Sequence, residues 1–377
     1  MIQNKIAITN SCYMSMFFLG IGITIIGVVA KNIGFESHQI GMLIVFQNIG
    51  FGISVFFSGI ISDFFEKPKI LFMGSLILFF GFLLFYFYSH SYLMCSFILF
   101  VIGIGSGTYE ALTDIVLFEI HSDKVSFHIT INHFFVTFGS LLITFYLIFL
   151  QLNWQISIIQ ISIAVACLTF LFLLIKMPLQ KRKSKPTFQY LTSQVADRSV
   201  IVLFIVSLII AGFEVGFIGF LISFLIELRG FDYAASKFGL LMFILGVAIG
   251  RIMLSFILNR FRLKSLIQIQ LAFCFIFSSL LLFFHLHPLM FVLVFLNGLS
   301  ISVLFPLVIT LAGTLKNKDT ALMLSFIKMA IPIGGVVVPF FLSVLIQLFS
   351  FEVSLLFFPF ICLLGFVLFF ATIFQKE

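Results

Sequence analysis

The sequence predicts an all-α integral membrane protein with twelve transmembrane helices, laid out as two six-helix pseudo-repeats. Three observations carry that prediction. Of 377 residues, 62% are hydrophobic and 9% charged, with a mean hydropathy of +1.27; soluble domains carry about 25% charged residues. The apolar residues come in runs of about 20, long enough to cross the hydrocarbon core as helices. No stretch alternates polar and apolar residues over about ten positions, as a barrel strand would. The third observation is repetition. Gly34-Phe35-Glu36 and Gly230-Phe231-Asp232 each precede an apolar run at a spacing of 196 (230 − 34), and Gly103 in "FVIGIGSGTYEA" matches Gly298 in "FLNGLSISVLFP" at 195 (298 − 103).

Each helix is bounded by short polar breaks. The first, 8–30, ends at "KNIGFES", and the second, 38–62, runs to "DFFEKPK". The third and fourth, 70–89 and 92–120, share a brief turn, and "HSDK" separates the fourth from the fifth, 125–150. The sixth, 153–176, stops at the longest polar stretch, "KMPLQKRKSKPTFQYLTSQVADRS". The seventh and eighth, 199–226 and 236–258, flank the second Gly-Phe-acid turn. "NRFRLK" opens the ninth, 264–285, and "LKNKD" closes the tenth, 288–315; the eleventh and twelfth cover 320–349 and 351–374. These breaks are too short to be domains. The expected organisation is therefore a bundle over 1–175, a linker over 176–198 and a second bundle over 199–377.

Orientation follows from Lys and Arg, which concentrate on cytoplasmic loops. One alternating set of loops and ends holds sixteen of them, including the basic linker, whereas the other holds Lys31, Arg229 and Lys237. Both termini are expected in the cytoplasm, with the protein in the cell membrane and the lipid bilayer as its main partner. The asymmetry accounts for the net charge of +7 without a nucleic-acid partner. The five cysteines all fall in apolar runs with no C-x-x-C pair, and read as small buried hydrophobes.

Ionisable groups inside apolar spans need a reason, since a charge at mid-membrane costs at least about 2.5–3.5 kcal/mol. Glu110 and Asp114 in "GIGSGTYEALTDIVLFEI" are four residues apart, which puts both carboxylates on one helical face about 6 Å apart along the axis. His121 follows on nearly the same face. A desolvated carboxylate with a like charge nearby is easily protonated, so Glu110 is expected to exchange a proton. Asp114 fits a proton-coupling or an edge role, and Glu119 and His121 fit a solvated edge or a pair with Lys124. Glu214 lies between Gly212 and Gly216, as a proton site or a buried structural acid. Arg251 is expected to act as a gate or a structural charge, and Asp63 as a gate contact at a helix end. Gln47, Asn48, Asn132, His133 and Asn297 form the candidate substrate-binding set, because amides both donate and accept; each also suits helix packing.

These features resemble a known family. Six-plus-six helices, a basic central loop and the loop residues Gly59, Asp63, Lys67 and Lys69 resemble the major facilitator superfamily and its loop pattern G-x-x-x-D-R-x-G-R/K-R/K; Phe64 and Glu66 depart from it. Within the superfamily the chain is similar to fucose/glucose-type sugar:proton symporters, especially the bacterial glucose/mannose type. "GIGSGTYEALTD" resembles their helix 4, "AGFEVG" (211–216) their helix 7, "GRIMLSFILNR" (250–260) their helix 8 and "LNGLSISVLFPLVITLAG" (296–313) their helix 10. The first helix lacks the acid found in fucose-type members, and Thr130 stands where Asn is usual three residues before His133.

The resemblance implies the major facilitator fold and import of a small polar solute, a sugar, with protons by alternating access. Proton-driven efflux of amphipathic compounds and a non-transporting membrane sensor are the alternatives. No enzyme is expected, because no nucleophile motif, phosphate loop or metal signature appears; Gly103, Gly105 and Gly107 lie inside a span. No cofactor and no metal are expected, since His133 has no second His or Cys at ligand spacing. A monomer is expected.

Overall fold

The computed structural model describes residues 5–62, 64–121, 125–149, 153–176, 197–257, 262–284, 289–313 and 326–372. Asp63 and Lys124 lie outside the described residues. Among the described residues, twelve helical segments are long and apolar enough to cross a membrane. It divides into two compact units, Met1–Lys183 and Ser184–Glu377. The first contains α1 (Lys5–Ile33), α2 (Ser37–Ile61), α3 (Lys67–Tyr88), α4 (Tyr92–Ile120), α5 (Val125–Phe149) and α6 (Trp154–Leu174). The second contains α7 (Arg198–Glu227), α8 (Tyr233–Ile257), α9 (Leu263–Phe283), α10 (Met290–Ser302), α11 (Leu304–Gly313), α12 (Ala330–Leu348), α13 (Phe351–Leu355) and α14 (Phe357–Thr372).

Three spans expected to be single helices are broken, and proline explains each break. A proline lacks the N–H for the i−4 carbonyl and its ring crowds that carbonyl. Pro306 stands four residues after Ser302, where α10 stops before α11 resumes at Leu304. Pro359 stands four residues after Leu355, where α13 gives way to α14. Pro332 comes four residues after Lys328, and the helix is interrupted at Met329 before α12. Pro68, by contrast, occupies the first turn of α3, where no intrahelical N–H is lost.

The repeat seen in the sequence has a structural basis. Gly34 (φ +97°) and Gly230 (φ +68°) both adopt the left-handed conformation that closes a helix. The acid two residues on then starts the next helix. The Glu36 N–H donates to Gln39 Oε1 at 3.0 Å, and Asp232 Oδ1 accepts from the Ala235 N–H at 2.7 Å.

Packing repeats as well. Lipid gives little hydrophobic drive between helices, so association depends on close backbone approach. A Cβ on Gly103 of α4 would collide with the Gln47 carbonyl of α2, and one on Gly298 of α10 would collide with the Phe243 carbonyl of α8. The same relation joins Gly139 on α5 to Phe17 on α1, and Gly334 on α12 to Leu208 on α7. The outward surface is apolar, with Phe56, Phe57, Phe97, Phe170 and Phe360 all more than half exposed, as lipid contact requires. Cys12, Cys95, Cys274 and Cys362 are buried, and Cys167 is exposed. The Cys362 and Cys274 sulfurs meet at 3.3 Å as free thiols.

Candidate functional site

In the first unit the site is built on α4, held against α2 by the Gly103 and Gly107 contacts and against α3 by Gly74 beneath Thr108. Asp114 faces α5. Asn132 Nδ2 donates to Asp114 Oδ1 at 2.9 Å and to Thr113 Oγ1 at 2.9 Å, and His133 Nε2 lies 3.0 Å from Asp114 Oδ2. A carboxylate only accepts, so Nε2 carries the hydrogen. The Asp114 side chain is 13% exposed and that of His133 36%. One turn earlier, Glu110 is half-buried and has no hydrogen-bond or ionic partner among the described residues. Glu110 and Asp114 are therefore chemically unequal: Asp114 is held by Asn132 and His133, whereas Glu110 has no such partner among the described residues.

The amide candidates fall into different environments. Gln47 is buried and donates to the Gly22 carbonyl at 2.6 Å, tying α2 to α1. Asn48 donates to the Ile44 carbonyl of its own helix at 2.9 Å. Asn132 and His133 serve Asp114, as described. Asn297 in α10 is fully buried, and neither its Nδ2 nor its Oδ1 has a partner among the described residues. An unsatisfied buried amide is costly, so Asn297 is the amide most in need of a ligand or water.

In the second unit, Glu214 of α7 accepts from Arg251 Nη2 of α8 at 3.1 Å. Both side chains are about a quarter exposed, 24% and 28%. Gly212 packs α7 against Gly334 and Val338 of α12, and Glu214, about 200° further round the helix, faces α8 instead. The residues proposed as a proton site and a gate thus form one ion pair.

The C-terminal end of α4 departs from the expected stripe. His121 sits past the helix end with φ −122° and ψ 89°, so it leaves the face carrying Glu110 and Asp114. Its Nε2 lies 2.7 Å from Thr9 Oγ1, and its ring stacks on His128 at a centroid distance of 3.6 Å. His128 Nδ1 in turn lies 2.6 Å from the Tyr13 hydroxyl. Burial, then His128 and Lys5, push the His121 imidazole below its usual pKa and favour the neutral ring. Glu119 is paired with Lys67 at 2.8 Å instead of being a solvated edge residue, with side-chain exposures of 14% and 6%. Lys67 and His128 were not among the expected partners. Lys67 and Glu119 lie far apart in sequence, with only the basic loop pattern pointing to Lys67, and the His121–His128 stack spans the break between α4 and α5.

Comparison with known proteins follows the same lines. The model of the Major Facilitator Superfamily matches residues 6–286 and 240–377. A bacterial homologue of the human lysosomal transporter Spinster, inward-facing and unoccupied, is similar with a TM-score of 0.79 at 12% identity, covering 97% of this chain and 96% of that one. The nucleoside transporter NupG is similar with a TM-score of 0.78 at 14% identity, covering 100% of both chains. The E. coli fucose:proton symporter FucP gives 0.67 at 17% identity, covering 97% of this chain and 98% of that one. At such identities these likenesses speak to fold alone. No curated protein matches the chain. With the family match running from residue 6 to residue 377, the protein belongs to the Major Facilitator Superfamily and is a multi-pass membrane transporter, not an enzyme.

Proposed function

We propose that the protein is a secondary carrier that imports a small polar solute, a sugar, together with protons by alternating access. The observation that carries this reading is the inequality of Glu110 and Asp114 on α4. Asp114 is fixed by Asn132 and His133, while Glu110, half-buried and one turn away, has no partner among the described residues. A carboxylate inside a spanning helix without a counter-charge is poised to bind a proton and lose it again as its surroundings change. Glu110 is the coupling acid in this reading and Asp114 its neighbour, with Asn132 and His133 fixing Asp114. The Glu214–Arg251 pair holds α7 to α8, and its breakage and reformation would accompany the change of access. Gln47, Asn48 and Asn297 complete the polar set, and Asn297 is the strongest substrate contact because its amide is unsatisfied. Asp63 acts as a gate charge: Asp63→Asn slows transport while substrate still protects pocket cysteines.

The chain has no segment resembling an ATP-binding domain, so an ion gradient drives accumulation. Both termini and the linker lie in the cytoplasm and the protein in the cell membrane. A cysteine placed at Ser91 then labels from outside and one at Ser184 does not. The functional test is uptake of labelled sugars into vesicles with and without an inward proton gradient. Gradient-dependent accumulation supports symport; gradient-driven extrusion of amphipathic dyes supports efflux instead. Absence of any solute-dependent proton movement leaves a sensor.

A further inference from the structure

Three cations are almost fully buried among the described residues: Lys67, Arg229 and Lys237, at 5%, 6% and 8% exposure. Two of them have evident compensation. Lys67 is paired with Glu119. Arg229 donates to the carbonyls of Leu228, Leu281 and Leu282 at 3.0, 2.9 and 2.7 Å and lies over the Phe224 ring at 4.7 Å. It therefore meets the negative end of α9. Lys237 differs. Its Nζ lies 5.5 Å from the centroid of the Tyr233 ring and makes no hydrogen bond or ion pair among the described residues.

The surroundings of Lys237 make this more pronounced. Helical side chains slant towards the N-terminus, and the contact with Tyr233, four residues earlier, shows that the ammonium reaches back over the first turn of α8. The positive end of the helix dipole lies there, which disfavours a cation. With Lys237 at i+4, the Tyr233 hydroxyl at i and Ser236 Oγ at i+3 lie on one side of the helix, and both are buried without a partner among the described residues. The nearby acid, Asp232, is exposed and its Oδ1 is engaged in capping Ala235. At the repeat spacing, Tyr233, Ser236 and Lys237 correspond to Ser37, Ile40 and Gly41 in α2, so the repeat itself requires neither the serine nor the cation.

We infer that Lys237 Nζ, the Tyr233 hydroxyl and Ser236 Oγ form a binding site for a small monovalent anion, a halide or a carboxylate, at the start of α8. One ammonium balances one negative charge, so a monoanion fits and a phosphate dianion does not. All three side chains can donate, and the anion satisfies each of them while opposing the helix dipole. The site lies on one of the few sequence positions where a cation occurs in the Lys- and Arg-poor loops and their flanks. It is independent of the sugar:proton reading.

The test is thermal unfolding of the purified full-length protein in detergent, titrated with sodium chloride or sodium acetate against sodium isethionate at constant ionic strength. The wild type gains a saturable rise in Tm with at least one of the two small anions. Lys237→Met abolishes that dependence. Ser236→Ala and Tyr233→Phe each raise the half-saturating concentration about tenfold, the effect of losing one hydrogen bond to a charge. These two milder variants decide the matter if Lys237→Met does not fold. A wild-type Tm indifferent to both anions overturns the proposal, as does unchanged half-saturation in both milder variants. Stabilisation only by vesicles containing anionic phospholipid also overturns it, because it assigns the patch to lipid headgroups.

Discussion

Lys67→Met should be among the most damaging single substitutions outside the apolar packing. The Lys67 Nζ–Glu119 Oε1 distance is 2.8 Å, and the two side chains are 6% and 14% exposed. Removing one partner of such a pair leaves an uncompensated buried charge, which costs about 3–5 kcal/mol. Among the described residues Glu119 has no other contact to fall back on, since its Oε2 is buried without a partner there. At about 2–4 °C per kcal/mol for a unit of this size, Tm falls by roughly 6–20 °C. The double variant Lys67→Met/Glu119→Leu removes both charges and recovers most of the loss, because replacing a whole buried pair by apolar groups is often neutral. Lys69→Met is the control. Lys69 reaches Glu66 at 3.4 Å but is 71% exposed, and such pairs contribute about 0–1 kcal/mol. The assay is thermal unfolding in detergent at a fixed scan rate for wild type, these three variants and Glu119→Leu alone. A Lys67→Met Tm within about 2 °C of wild type, on the same scale of degrees per kcal/mol, refutes the reasoning, as does a double variant that loses the sum of the two singles.

Further outcomes follow from the packing and the polar contacts. Gly103→Ala puts a methyl group into the Gln47 carbonyl and should cost about 1–3 kcal/mol or more as overpacking; a Tm equal to wild type would mean that α2 and α4 separate freely. Asp114→Leu strands the donors of Asn132 and His133 at a cost of about 1–3 kcal/mol, whereas Asp114→Asn keeps an acceptor and should lose less in the same Tm comparison. His121 titrates below its unfolded value, so the unfolded chain binds more protons once pH drops beneath about 6.5. Stability therefore declines with falling pH until the folded ring also protonates. The effect is modest because the ring is partly solvated. His121→Gln should reduce the drop in Tm between neutral and mildly acid buffer, and an identical drop would remove His121 from the cause.

Local signals in the sequence were reliable where local physics decides the outcome. The Gly34 and Gly230 turns repeat because a left-handed residue followed by a capping acid is a complete instruction for stopping one helix and starting the next. The match of Gly103 with Gly298 reflects a shared collision with a neighbouring carbonyl. Hydropathy placed the spans because lipid tolerates little else. The breaks at Ser302–Leu304 and Leu355–Phe357 were also written locally, in Pro306 and Pro359, but a hydropathy run does not register a missing N–H. Partners across helices were less legible. Arg251 offered a counter-charge for an acid, yet nothing in the spacing singled out Glu214. The pairing of His133 with Asp114 depends on the rotation of α5 against α4, which the spacing within either helix does not specify. His121 left its predicted face because α4 ends at Ile120, and helical periodicity does not extend past a helix end.

The central claim is that Glu110 carries the coupling proton, and one pair of measurements on Glu110→Gln tests it most directly. The amide fixes the neutral form of the side chain with little change in volume, so the protein should fold and insert. Uptake driven by a pH gradient and counterflow exchange are measured in the same vesicles, with wild type alongside. Gradient-driven accumulation should be lost in Glu110→Gln while counterflow persists, because exchange of solute does not require the proton to leave. Accumulation at the wild-type level would contradict the account and pass the coupling role to Glu214 and its Arg251 partner.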